Sequence, residues 1–134
     1  MDAQDLKTGL VGLLGFDVRE MSPDSVTVTA EVTEALHQPW GLLHGGVHCA
    51  LVETAASIGA QLWLGGDGIV VGVSNQTDFL RGVKLGTLEA RATPVHRGRL
   101  QQLWQVDVSD GDKRLVATGK VRLQNLRESK APGH

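Results

Sequence analysis

Tyrosine is absent from this chain, and phenylalanine and tryptophan bring the aromatic share to only 4%. Few rings are on hand to stack on an aromatic ligand. Cysteine occurs once, at Cys49, so no intramolecular disulfide can form, which fits a reducing compartment. Neither sign of charge dominates: 13 Lys and Arg stand against 15 Asp and Glu, a net charge of −2. That balance leaves no electrostatic footprint for nucleic acid. No apolar run approaches the ~20 residues that a membrane-spanning helix needs. Asp2 and Asp5 precede the first apolar run, the wrong charge for a signal peptide. A cytoplasmic protein with no nucleic-acid or membrane partner is the expectation. At 134 residues the chain makes one domain, large enough to bury a core without metal or disulfide staples.

What is present is concentrated in one stretch. Gln38-Pro39-Trp40-Gly41-Leu42-Leu43-His44-Gly45-Gly46 is a polar loop that ends in two glycines. Val47, Ala50, Leu51, Thr54, Ala55, Ile58 and Leu62 then recur at steps of three and four, one face of a helix that runs to about Leu64. The face is short-chained and Ala-rich, so something can pack very close to it. The glycines sit where unpaired N–H groups and the positive end of the macrodipole can hold an anion. That anion is either a phosphate or the oxyanion of an acyl-transfer intermediate. Glu53 and Ser57, one turn apart on one face, can do chemistry.

Ahead of this stretch, Leu6, Leu10, Val11, Leu13 and Leu14 lie along one side of a short helix that closes over the rest. Phe16–Met21 reads as a strand ended by the turn signal Ser22-Pro23-Asp24. Val26, Val28, Ala30 and Val32 alternate with polar residues, a half-buried strand. Beyond the helix, Gly65-Gly66-Asp67-Gly68 is a stop and Ile69–Val73 a short apolar run. Ser74–Lys84 is polar and reads as irregular. Leu88, Ala90 and Ala92 alternate, with Pro94 marking a bulge or an edge. Trp104, Val106 and Val108 alternate too, Asp110-Gly111 predicts a tight hairpin turn, and Leu115, Ala117, Gly119, Val121 and Leu123 carry the last strand. The order predicts an α+β domain, one long helix against one antiparallel sheet whose last four strands form a meander. Residues 127–134 have no pattern and are expected to fray.

Gln38, Gly45 of His-Gly-Gly, Glu53 and Ser57 follow one another at intervals of seven, eight and four residues. In that register the chain resembles the hot-dog-fold acyl-CoA thioesterases, on the branch of the Arthrobacter-type 4-hydroxybenzoyl-CoA and the phenylacetate-pathway thioesterases. The resemblance runs from about Val26 to Leu126, because the later strands follow the family's order. It implies a hot-dog domain over residues 1–126: one long central helix wrapped by a five- to six-stranded antiparallel sheet, plus a short N-terminal helix. It implies hydrolysis of an acyl-CoA thioester to carboxylate and free CoA, without a cofactor, CoA being part of the substrate. Glu at position 53 points to the branch where aromatic acyl groups are common, although related enzymes also take fatty acyl groups.

Eight residues at ~1.5 Å rise put Gly45 and Glu53 roughly 12 Å apart along the helix, too far to serve one carbonyl in one chain. Either the two do different work or one site draws on two chains. The resemblance implies the second: a homodimer as the minimum unit, with two sites across its interface, and a homotetramer as the family's usual form. It implies that the Gly45 N–H polarises the carbonyl, beside Gly46. Gln38 would lie near the carbonyl or the water, Glu53 would act as nucleophile or general base, and Ser57 would orient the carboxylate or the water. His44 would support the loop. The Pro94-Val95-His96-Arg97-Gly98-Arg99 hairpin matches the one that lies along pantetheine and the nucleotide in the family. Arginine suits phosphate and glycine allows close approach, which makes His96, Arg97, Gly98 and Arg99 candidates for CoA, with Arg81 another. Trp40 could line an acyl pocket.

Plainer readings compete at each position. Glu53 could be a solvated helix residue, but Leu51, Val52, Ala55 and Ala56 leave little polar face around it. His37, His44 and His48 come close together, yet no Cys or carboxylate completes a metal set, and none is expected. Cys49 reads as a buried small residue, and Ser57 has no nucleophile-elbow context. The three tryptophans suit core or interface, Asp78 reads as loop surface, and Arg97 with Arg99 could be a solvated turn. A non-catalytic acyl-CoA binder on the same fold is the alternative function. A hydratase would need an acid–histidine motif that is not found.

Overall fold

In the computed structural model residues 6–127 are described; within them one long helix lies against one six-stranded antiparallel sheet. The elements are α1 (Gly9–Leu13), β1 (Asp17–Met21), β2 (Val26–Val32), α2 (Gly45–Leu64), β3 (Gly68–Phe79), β4 (Gly86–Arg97), β5 (Gln101–Ser109) and β6 (Leu115–Arg127). Strand order is β1-β2-β4-β5-β6-β3.

The alternating patterns of β2, β4, β5 and β6 bury one face of the sheet on α2. Val26, Val28, Ala30, Leu88, Ala90, Ala92, Trp104, Val106, Val108, Val121 and Leu123 are all buried there. Leu51, Val52, Ala55, Ala56 and Ala60 answer from the helix. The small residues on α2 are what let it sit so low. A Cβ at Gly59 would lie 2.6 Å from the Trp104 ring, so that fully buried indole packs directly on bare helix backbone. Adding even a methyl there forces a shift in a close-packed core. Gly65, with φ 64°, ends the helix as a residue without Cβ can.

Four expectations need correction. Ser74–Phe79 continues β3 as a regular strand after a register shift between Gly72 and Ser74. Its inward residues are polar, Asn75 meeting the Cys49 carbonyl and Glu53 of α2 and Thr77 bonding Asn75, so no apolar alternation marks it. The strands after α2 are not one meander: β2 and β5 hold both edges of β4, and β3 pairs with β6 instead. Asp110–Arg114 forms a wider turn than Asp110-Gly111 alone. The Asp110 carboxylate accepts from the N–H of Asp112 and of Arg114, both at 2.9 Å, and the left-handed residue is Lys113, φ 63°. The N-terminal helix covers less than expected: Leu6, Val11 and Leu14 pack on the core, but Leu13 is 81% exposed.

The register shift between Pro94 and His96 is the bulge that Pro94 announces. Arg127, placed with the tail, is the last residue of β6; Glu128–His134 lie outside the described residues. Among those described, no helix is long and apolar enough to cross a membrane.

Candidate active site

The loop before α2 is held by its own groups. The Gln38 N–H donates to the Leu42 carbonyl at 2.7 Å, and its side-chain Oε1 accepts from the N–H of Trp40 at 2.6 Å and of Leu42 at 3.4 Å. With Oε1 so occupied, Gln38 offers its Nε2 amide, a donor, to whatever enters. The Leu43 N–H bonds the Val83 carbonyl at 2.7 Å, tying the loop to the segment that follows β3.

His44 caps the helix. Its Nδ1 accepts from the Gly46 N–H at 2.8 Å and its carbonyl from the Val47 N–H at 3.0 Å. The Gly45 N–H has no partner among the described residues, so one free donor stands at the positive end of α2. A Cβ at Gly45 would lie 2.6 Å from the ring of Phe79, and that ring also stacks on His48 with centroids 5.7 Å apart. Gln38, Leu42, Gly45, His48, Phe79 and Arg81 line one cleft of about 290 Å³. Every polar side chain among them can donate a hydrogen bond and no carboxylate intrudes. The cleft suits an oxygen that carries negative charge.

Glu53 sits two turns further along, on the side of α2 that faces β3. Asn75 Nδ2 donates to its Oε1 at 3.1 Å and to the Cys49 carbonyl at 3.1 Å. Ser57 Oγ donates to its Oε2 at a long 3.5 Å. The carboxylate lies against the backbone of Gly72, where a Cβ would collide with Oε2. Thr77 Oγ1 donates to Asn75 Oδ1 at 2.7 Å, which fixes the amide with its nitrogen toward Glu53. The carboxylate is thus oriented by one firm hydrogen bond, half buried, and next to the edge strand of the sheet.

The β4–β5 hairpin lies at the other end of α2. Arg97 donates to the Pro23 carbonyl at 2.8 Å, pairs with Asp24 at 2.9 Å and covers the Trp63 ring at 5.6 Å. It is committed to structure. The Gly98 N–H closes the hairpin on the Gln101 carbonyl at 2.8 Å. Asn125 Nδ2 holds the Gly98 and Arg99 carbonyls at 3.0 and 3.2 Å. The His96 and Arg99 side chains are exposed at this tip.

The structure therefore gathers Gln38, Gly45 and Arg81 at one cleft and Glu53 with Ser57 at a second place, and holds His96 to Arg99 at a third. Trp40 is 84% exposed and Gly46 is spent on the cap. Asn75, Phe79 and His48 complete these groups without having been singled out. Asn75 was hidden in a strand with no apolar pattern, and His48 drew only a metal reading and a thiol pairing with Cys49, both set aside. Among the described residues no three His, Cys, Asp or Glu side chains gather as a metal set. Trp104 and Trp63 are core and hairpin packing, and Cys49 is half buried rather than fully.

A model of the thioesterase superfamily matches residues 41–117. Rv1847 of Mycobacterium tuberculosis is 47% identical over 116 residues, covering 84% of this chain and 83% of that protein. The 1,4-dihydroxy-2-naphthoyl-CoA hydrolase of Listeria monocytogenes is 33% identical over 122 residues, covering 91% and 99%. The structure of thioesterase HI1161 from Haemophilus influenzae is similar with a TM-score of 0.91 at 32% identity, covering 98% of this chain and 92% of that one.

Proposed function

Because this chain belongs to the thioesterase superfamily, shares its hot-dog fold and is a thioester hydrolase, we propose that its substrate is an acyl-CoA and that Glu53 carries the hydrolysis. The observation behind this reading is the oriented carboxylate of Glu53, held by Asn75 at roughly 12 Å along α2 from the free Gly45 N–H. One site then needs Gly45 from one chain and Glu53 from another. Residues 1–126 form the domain that dimerises, and two dimers pair as a tetramer. The exposed side chains of Ile69, Val71 and Val73 beside the unpaired edge of β3 favour association of copies.

In that site the thioester carbonyl oxygen rests at the Gly45 N–H, with the Gln38 amide beside it. As general base, Glu53 takes a proton from water, the water oxygen bonds to the carbonyl carbon, and the C–S bond breaks. The proton passes to the departing thiolate of CoA, leaving a carboxylate. As nucleophile, Glu53 bonds through a carboxylate oxygen to the carbonyl carbon and the C–S bond breaks. The departing CoA thiolate takes up a proton from solvent, and water then cleaves the resulting anhydride to return Glu53 and release the acid. Ser57 and Asn75 orient the carboxylate in either case. Arg99 and His96 meet the CoA end and Arg81 is a further phosphate contact. Arg97 reaches phosphate only by releasing Asp24, so it serves chiefly to shape the hairpin. The name of the Listeria relative favours an aromatic acyl group, with Trp40 beside it.

Thiol release is measured from benzoyl-, hydroxybenzoyl-, hexanoyl- and palmitoyl-CoA by wild type and Glu53→Ala, with the mass of each in solution. Wild-type turnover that drops at least a thousandfold in a still dimeric variant is expected. Equal turnover by both would remove Glu53 from the mechanism. Label from 18O-water in the Glu53 peptide after a single turnover marks the nucleophilic route, since direct attack by water on the thioester leaves no label in the enzyme.

A further inference from the structure

His48 is 3% exposed, and its Nδ1 is buried with no hydrogen-bond partner. Such a group costs stability and calls for an explanation. The ring is neither loose nor misdirected. It stacks on Phe79 and lines the cleft at the start of α2. His48 follows Gly45 by three residues, one turn along the same face of the helix. Phe79 touches both, lying on the backbone of Gly45 and on the imidazole.

The tautomer follows from burial. A proton on Nδ1 would be a donor with nothing to receive it, whereas a proton on Nε2 is offered to the cleft. The His48 pKa is lowered by desolvation on burial, so the ring is neutral near pH 7 and one nitrogen only carries hydrogen. At the helix start, the cap removes Gly46 as a donor and leaves Gly45 alone on the backbone. Oxyanion holes gain most of their effect from donors fixed before the reaction, and a stacked, buried ring is so fixed.

We propose that His48 donates a hydrogen bond from Nε2–H to the thioester carbonyl oxygen bound at the Gly45 N–H, as a further donor of the oxyanion hole beside the Gln38 amide. It is a neutral electrophile and carries no proton through the cycle. This rests on the cleft being the acyl-CoA site.

The test compares wild type, His48→Phe and His48→Gln on the most active acyl-CoA of the panel, with Glu53→Ala alongside. Phenylalanine keeps the ring and its stacking on Phe79 but lacks the donor; glutamine restores an N–H. Expected for His48→Phe is a kcat about 100-fold lower, a KM within about threefold, and a melting temperature no lower than wild type, since the unpartnered Nδ1 is gone. His48→Gln should recover at least tenfold of the lost kcat. A His48→Phe enzyme as fast as wild type overturns the assignment. So does a loss that tracks the melting temperature or that glutamine leaves unchanged. If wild type releases thiol and only the His48 variants keep pace with it, the acyl-CoA reading survives and His48 alone is wrong. A wild type that releases none removes both.

Discussion

The two ends of α2 are built to opposite plans. At its C-terminal end polar groups are matched with care. Gln102, fully buried, donates to the Ala60 carbonyl at 3.1 Å and to Asn125 Oδ1 at 2.9 Å. Its Oε1 receives the Trp104 indole N–H at 2.8 Å, and Asn125 carries the network on to the hairpin carbonyls. Gln61 nearby donates to the Gly68 carbonyl and accepts from the Val70 N–H, at 2.9 and 3.0 Å. At the N-terminal end, the Gly45 N–H and His48 Nδ1 have no partner among the described residues. A satisfied buried network rigidifies, whereas the free Gly45 N–H in the cleft is available to a substrate and the orphaned His48 Nδ1 is a cost that this end carries. One end anchors the helix and the other leaves it chemically hungry.

Breaking the anchored end should show the largest stability effect. Gln102→Leu strands the Trp104 N–H and the Asn125 Oδ1 among apolar neighbours. We expect a loss of about 3 kcal/mol, on the order of 10 °C in melting temperature for a domain of this size, read by thermal unfolding. The kcat of the molecules that remain folded should stay within about twofold. A variant with wild-type melting but collapsed kcat would dissolve the division between the two ends.

This division was only half legible in the sequence. Gly45, Glu53 and Ser57 announce themselves because a helix start and a period of four are written in residue spacing. The Gln102–Asn125 network is not, because its two members lie 23 residues apart on neighbouring strands, and a polar residue on the inward register of a strand does not reveal its partner. Asn75 shares the difficulty. It orients Glu53 from an edge strand whose inner face is polar and whose outer face is exposed, so hydrophobic periodicity cannot reveal it. The helix and the four core strands were readable from apolar periods. Which strand neighbours which is decided by the competition for sheet edges, and that is a property of the assembled chain.

The open end can be sharpened by pH. Burial holds the His48 pKa below its ordinary 6.5, so below that pH the unfolded chain binds a proton that the folded one refuses. Folding stability is fully present above about pH 6.5 and declines as pH falls toward the lowered value, by at most about 1.4 kcal/mol per pH unit for one proton. Denaturant unfolding of wild type and His48→Phe across pH 4.5 to 7.5, on the order of these values, gives the difference between the curves. That difference should grow on acidification. Parallel curves would mean that His48 is not held neutral by its surroundings.

The smallest effects should come from the hairpin, where two arginines two residues apart are set against each other. Arg97 is tied to Asp24, to the Pro23 carbonyl and to the Trp63 ring, whereas the Arg99 side chain is exposed and only its backbone carbonyl is engaged. The Asp24 pair is largely exposed, so the cation–π contact and the carbonyl bond must do most of the holding, and Arg97→Ala should cost no more than about 1 kcal/mol. Arg99→Ala should leave unfolding unchanged and raise the KM for CoA thioesters about threefold, with a smaller effect at high salt because an exposed phosphate contact is screened. The decisive comparison uses an acyl thioester of pantetheine, which lacks the nucleotide phosphates. Arg99→Ala should match wild type on that substrate, whereas a deficit that persists there would place Arg99 with its neighbour, as part of the anchor and not of the site.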